Sequence, residues 1–165
     1  MTGKVGQFDV GALSIQTGDE SVSGAESTNF TVLRLKRDIL RRSTVGALFT
    51  NRSVATMGQG SSQTYGLDTT FAFYENVSMI GYLARTEMPG LDGENSSYQA
   101  QFDYGADRYG LQLDHLVIED NFVPDVGFLR RDNFRRTFLE GRFCPRPESI
   151  YLVRRFSLTG SIDYI

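Results

Sequence analysis

The sequence predicts an all-β fold: an antiparallel up-and-down meander of about nine long strands, part of an outer-membrane-type β-barrel. Three observations carry this. Short segments alternate apolar with polar residues, the connections between them alternate long and short, and aromatics gather at both ends of the segments. A soluble sandwich has no reason to place every long loop at one end. A barrel threaded through an outer membrane does, with tight turns on one side and longer loops on the other.

The first strand is expected near Val5–Thr17, closed by the polar stretch Gly18–Thr28, and the second near Asn29–Lys36, closed by the short turn Arg37–Ser43. Near Thr44–Asn51, Val45, Ala47 and Phe49 alternate with Thr44, Gly46 and Thr50; Arg52–Gln63 follows as a long loop. Near Thr64–Tyr74, Tyr65, Leu67, Thr69, Phe71 and Phe73 share one face and Gly66, Asp68, Thr70 and Ala72 the other. The turn Glu75-Asn76 leads to a strand near Val77–Thr86, and the long loop Glu87–Ser96 to one near Ser97–Tyr104. There Tyr98, Ala100, Phe102 and Tyr104 alternate with Gln99, Gln101 and Asp103. A short turn, Gly105–Arg108, precedes the strand near Tyr109–Ile118, and a long loop, Glu119–Asp132, follows it. Near Asn133–Phe143, Phe134, Arg136, Phe138 and Glu140 oppose Arg135, Thr137 and Leu139, a mixture that a bulge or a position outside the membrane would explain. Last come a short turn, Cys144–Ile150, and a strand near Tyr151–Tyr164, with Leu152, Phe156, Leu158, Ile162 and Tyr164 opposite Arg155, Ser157, Thr159, Ser161 and Asp163.

Segments of roughly ten residues suit a tilted membrane-spanning strand better than the five or six of an ordinary sheet. The alternative is a soluble antiparallel sheet with one face in a core. Against it, the polar faces carry Gln, Asp, Thr, Ser and Gly, with few of the lysines that decorate a solvent-facing sheet. Tyr74, Tyr104, Tyr109 and Tyr151 beside short turns, and Phe30, Tyr65 and Tyr98 beside long loops, fit two interfacial girdles. The absence of Trp counts against a girdle.

The chain has 165 residues, 40% of them hydrophobic, a formal net charge of -3, and no apolar run long enough for a transmembrane helix. One cysteine, Cys144, excludes an internal disulfide, and one histidine, His115, cannot build a His-rich metal site. No cofactor, metal or nucleic-acid partner is expected. Neither a signal peptide nor an even strand number is visible, although export and closure call for both. Residues 1–165 are therefore expected to be a single β-meander, a fragment of a larger barrel domain.

The stretches Leu35–Thr50 (LKRDILRRSTVGALFT), Gln101–Leu116 (QFDYGADRYGLQLDHL) and Asp120–Arg136 (DNFVPDVGFLRRDNFRR) resemble the middle portion of the bacterial domain of unknown function 5916 family. That domain follows a family 9-like carbohydrate-binding module in exported proteins. The resemblance implies a β-rich, barrel-like region, an export signal and an upstream module, and it supplies no catalytic or binding residues.

Three constellations bear on chemistry. Arginines come in pairs, at 41-42, 130-131, 135-136 and 154-155, and adjacent members point to opposite faces of a strand. Arg130, Arg131, Arg135 and Arg155 are the candidate binding residues, for an anionic ligand in a vestibule or for lipid headgroups reached by snorkelling. Carboxylates fill the long loops, where Asp92-Gly93-Glu94-Asn95 has the composition but not the spacing of a Ca²⁺ site, and no catalytic residues are assigned. The loop Asp120–Asp132 holds Phe122, Val123, Pro124, Val126, Phe128 and Leu129, more apolar content than a solvated loop needs. Folding into the lumen, packing on the rim and touching an upstream module all stay open. The functional expectation is a membrane-embedded scaffold, pore or receptor of the bacterial outer membrane, linked to carbohydrate handling. Its expected partners are outer-membrane lipid, the remaining strands and upstream module of the same polypeptide, and a carbohydrate ligand. A soluble β-sheet carbohydrate-binding module and a hydrolase are the alternatives.

Overall fold

The computed structural model describes residues 1–20, 26–56, 59–147 and 154–165. Ten strands lie side by side in chain order, each antiparallel to the next, in one sheet. They are β1 (Thr2–Val5), β2 (Phe8–Gln16), β3 (Asn29–Ile39), β4 (Ser43–Arg52), β5 (Ser62–Phe73), β6 (Val77–Glu87), β7 (Ser96–Gly105), β8 (Tyr109–Ile118), β9 (Phe134–Phe143) and β10 (Leu158–Tyr164). The sheet is open: β1 and β10 are its edges, and they do not pair with each other.

The expected single first strand is a hairpin. Val5 pairs with Phe8 across Gly6-Gln7, and Gly6 has φ 63. A two-residue hairpin loop needs a left-handed backbone, which glycine adopts at no steric cost. The last connection also differs from expectation. β10 starts at Leu158, with residues 154–157 outside any strand, whereas the sequence places the last strand from Tyr151 on. Tyr151 and Leu152 lie outside the described residues, and Phe156 stands before the strand, its N–H donating to the Pro145 carbonyl at 3.0 Å. Elsewhere the rhythm holds, with tight turns at 40–42, 74–76 and 106–108 and long loops at 17–28, 53–61, 88–95 and 119–133. β9 contains no bulge, since Phe134 to Phe143 pair residue for residue with β8.

Directly paired residues of neighbouring strands share a face. One row on the first face runs Val10, Leu35, Ala47, Leu67, Leu83, Tyr98 and Val117. Another runs Phe71, Met79, Phe102, Leu113, Leu139 and Ile162. On the second face one row runs Lys36, Gly46, Asp68, Tyr82, Gln99, Leu116 and Arg136, and the next Thr70, Ile80, Gln101, Asp114, Phe138 and Asp163.

The apolar face is the more exposed of the two. Leu67 is 61% exposed and Leu83 53%, and Leu111, Leu113 and Leu158 are exposed too, whereas Gln99, Gln101, Asp114 and Glu140 are half-buried. Phe71 and Phe102 point the same way as these leucines but are half-buried, Phe71 stacking on Phe73 with ring centroids 5.8 Å apart. A soluble sheet does the reverse, burying its apolar face. The alternation inverts at the loop end of β2 and β3, where Leu13, Ile15, Phe30 and Val32 lie on the polar side. Phe30 therefore leaves the expected girdle and packs under the Arg52 guanidinium, 5.5 Å from its ring centroid.

Candidate functional site

The polar face carries a ladder of ion pairs and hydrogen bonds fixed by register. Arg34 on β3 and Asp68 on β5 are separated by β4, and their bidentate ion pair passes over Gly46. Its longer arm, Arg34 Nη2 to Asp68 Oδ1, measures 2.8 Å. A Cβ at Gly46 would stand 2.7 Å from Arg34 Nη2 and 2.8 Å from Asp68 Oδ2, so only glycine leaves room for the pair. Gln99 Nε2 donates to Asp114 at 2.8 Å, Gln101 Nε2 to Asp103 at 2.6 Å, and Tyr82 shares a 3.0 Å hydrogen bond with Ser97. On β9, Arg136 grips Asp163 of β10 at 2.9 and 2.8 Å. Such fork-to-carboxylate pairs fix geometry as well as charge.

Three long loops meet at one end of this face. The loop after β8 reaches back past β7: the Asn121 N–H donates to the Glu94 carbonyl at 2.8 Å, and Asn121 Nδ2 to the Gly93 carbonyl at 3.0 Å. The Val123 N–H donates to Thr86 Oγ1 on the polar side of β6 at 3.3 Å. Further along, Asp125 accepts the Thr56 N–H at 3.1 Å and the Thr56 hydroxyl, in the loop between β4 and β5. That loop in turn touches the next one, since a Cβ at Gly60 (φ 124) would stand 2.9 Å from Pro89. Ser96 N–H donates to Glu119 at 2.7 Å, tying the root of the cluster to β7.

The buried hydrophobic side chains include Ala55, Met88 and Phe122, one from each of these loops. Beneath them Ser62, Thr64, Thr86 and Ser97 are buried, Thr86 and Ser97 to 1% exposure. Thr86 Oγ1 also lies 3.4 Å from the Asn95 and Asn121 carbonyl oxygens, and Asn95 Nδ2 donates to the Thr86 carbonyl at 2.7 Å. The loops thus form a hydrogen-bonded cap over hydroxyl-bearing strand ends, and each contributes one buried apolar side chain. Of the readings open for the loop after β8, the contact with Thr86 favours folding over the polar face. Within Asp92-Gly93-Glu94-Asn95, the backbone carbonyls of Gly93 and Glu94 and the Asn95 side chain bind the protein itself. Among the described residues no group of His, Cys, Asp and Glu could hold a metal ion.

The four sequence-predicted arginines are not brought together. Arg130 and Arg131 are exposed in the loop after β8, Arg131 lying 4.9 Å from the centroid of Phe134. Arg135 pairs with Val117 on the apolar side, and its neighbour Arg136 takes the polar side. Arg155 is exposed in the β9–β10 connection, at the opposite end of the sheet. Sequence reasoning missed Arg34, Asp68 and Gly46; the available signal was opposite charge on the polar faces of strands flanking a glycine. His115 shares a 2.9 Å hydrogen bond with Thr137, and Cys144 is buried with Sγ 3.6 Å from Ser157 Oγ. No protein family, curated protein or solved structure matches the chain.

Proposed function

We propose that this chain is the membrane-embedded sheet of an exported bacterial protein, part of an outer-membrane barrel acting as scaffold, pore or receptor. The exposure pattern carries the reading: large apolar side chains such as Leu67, Leu83, Leu113 and Leu158 stand exposed on one face, while the amides and carboxylates of the other, Gln99, Gln101, Asp68 and Asp114, are half-buried. In a bilayer the first meets acyl chains, while the second lines an aqueous interior where Arg, Asp and Gln keep partners. Unpaired backbone groups at a sheet edge are not viable in hydrocarbon, so β1 and β10 are paired in the membrane by further strands of the polypeptide. The loop cap narrows one mouth of the interior and restricts what enters. The link to carbohydrate handling, and the upstream module as partner, rest on the resemblance of the three segments alone.

The test is extraction of membranes from cells exporting the full polypeptide. Retention in the pellet through alkaline carbonate, with release by detergent, is the expected result. Release by carbonate alone would replace this reading with a soluble binding module.

A further inference from the structure

The apolar face is not uniformly ridged. Ala47 is small among Leu33, Leu35, Leu67 and Leu83, and it floors a hollow of about 630 Å³. A second hollow of about 420 Å³ lies around Gly81, between Val45, Thr69, Leu67 and Leu83. The directly paired Leu67 and Leu83 form the ridge between the two. These volumes fall in the range of sites that hold small ligands. Two arginines line the larger hollow: Arg34, whose guanidinium is engaged by Asp68 on the other face, and Arg85, which pairs with Tyr65 in the β5–β6 register on the long-loop side.

Arg34 and Arg136 are each held by a carboxylate, but the Arg85 guanidinium has no hydrogen bond or ion pair among the described residues. Glu87, the nearest carboxylate along the same strand face, forms no ion pair with it. An exposed guanidinium at the polar border of an apolar hollow offers an amphiphile two complementary surfaces. We infer that the hollows beside the Leu67–Leu83 ridge take the acyl chains of a membrane lipid whose anionic headgroup is held by Arg85. The assignment rests on the membrane reading. It adds a defined lipid site where that reading requires only a greasy surface.

The test uses the full polypeptide extracted from membranes in mild detergent and mixed with dipalmitoyl phosphatidylglycerol or dipalmitoyl phosphatidylcholine. Retention is counted by native mass spectrometry. One phosphatidylglycerol per chain should be held in preference to phosphatidylcholine. Arg85→Gln should weaken it about tenfold, the scale of one charge-assisted hydrogen bond. Ala47→Leu, which fills the hollow, should weaken both lipids, whereas Thr137→Leu, on the same face of β9 and away from both hollows, should weaken neither. Inorganic phosphate should not compete, because it lacks the chains. Equal retention of the two lipids by the unaltered protein, competition by phosphate, or insensitivity to Ala47→Leu would overturn the site. A carbonate-extractable protein would instead remove the membrane reading itself, so the two failures are distinguishable.

Discussion

At the turn side of the sheet the polar face stands open, with Asp38 and Thr70 exposed and Ile80 46% exposed. At the loop side of the same strands Thr86 and Ser97 are almost wholly buried beneath the chain's own loops. In β5, β6 and β7 the strand alternation is the same at both ends, so the difference there comes from the connections. A turn such as 74–76 is too short to fold back, whereas 119–133 reaches from β8 to β6 and to the loop before β5. The strands define two faces, and the loops decide which end of the polar one is closed.

The largest effect expected at the capped end is that of Phe122→Ala. Phe122 is 6% exposed, and loss of such a side chain costs about 3–5 kcal/mol. Cleavage within 119–133 by added protease should accelerate while the strands stay protected. If the cap is instead a loose rim, the cleavage rate will not change. Next comes charge on the apolar face: if that face meets lipid, Phe102→Arg should cost about 2–4 kcal/mol of membrane assembly, and Gln101→Arg close to nothing. Equal tolerance of the two in a folding assay with lipid vesicles would erase the distinction between faces. Thr86→Val leaves the Val123 N–H without its acceptor and should loosen the cap by about 1–3 kcal/mol, read from hydrogen exchange at Val123. Gly46→Ala forces a methyl group between Arg34 and Asp68 and should lower stability by about 1–2 kcal/mol in a urea titration, without touching the cap. The smallest effect is assigned to Phe128→Ala. That ring is 88% exposed, and its loss should stay within about 0.5 kcal/mol.

Much of the sheet was legible because side-chain direction has period two, so Tyr65 to Phe73 or Tyr98 to Tyr104 reveal both faces without a partner strand. The hairpin at Gly6-Gln7 was obscured by apolar residues on both sides, although a glycine opening a two-residue turn was its signal. Register between strands is not written in any one strand, and register alone brings Arg34 to Asp68 across Gly46. Arginine pairs are conspicuous by sequence adjacency, yet adjacency in a strand separates faces: Arg136 binds Asp163 on the polar face while Arg135 lies on the apolar one. The apolar content of 119–133 was visible, but its docking against the loops before β5 and before β7, through Asp125 to Thr56 and Asn121 to Gly93, depends on the spatial grouping of loops remote in sequence.

The central claim is that the exposed apolar face meets acyl chains. Residues 1–165 contain no tryptophan, so Phe102→Trp and Gln101→Trp each add one indole to this sheet, on opposite faces of β7, read as the difference from the unsubstituted polypeptide. Each variant of the full polypeptide, reconstituted in vesicles whose lipids carry bromine at mid-chain, reports contact with hydrocarbon by fluorescence quenching. Strong quenching at position 102 with little at 101 is the predicted result. Equal quenching at both positions, or none at 102, would contradict it.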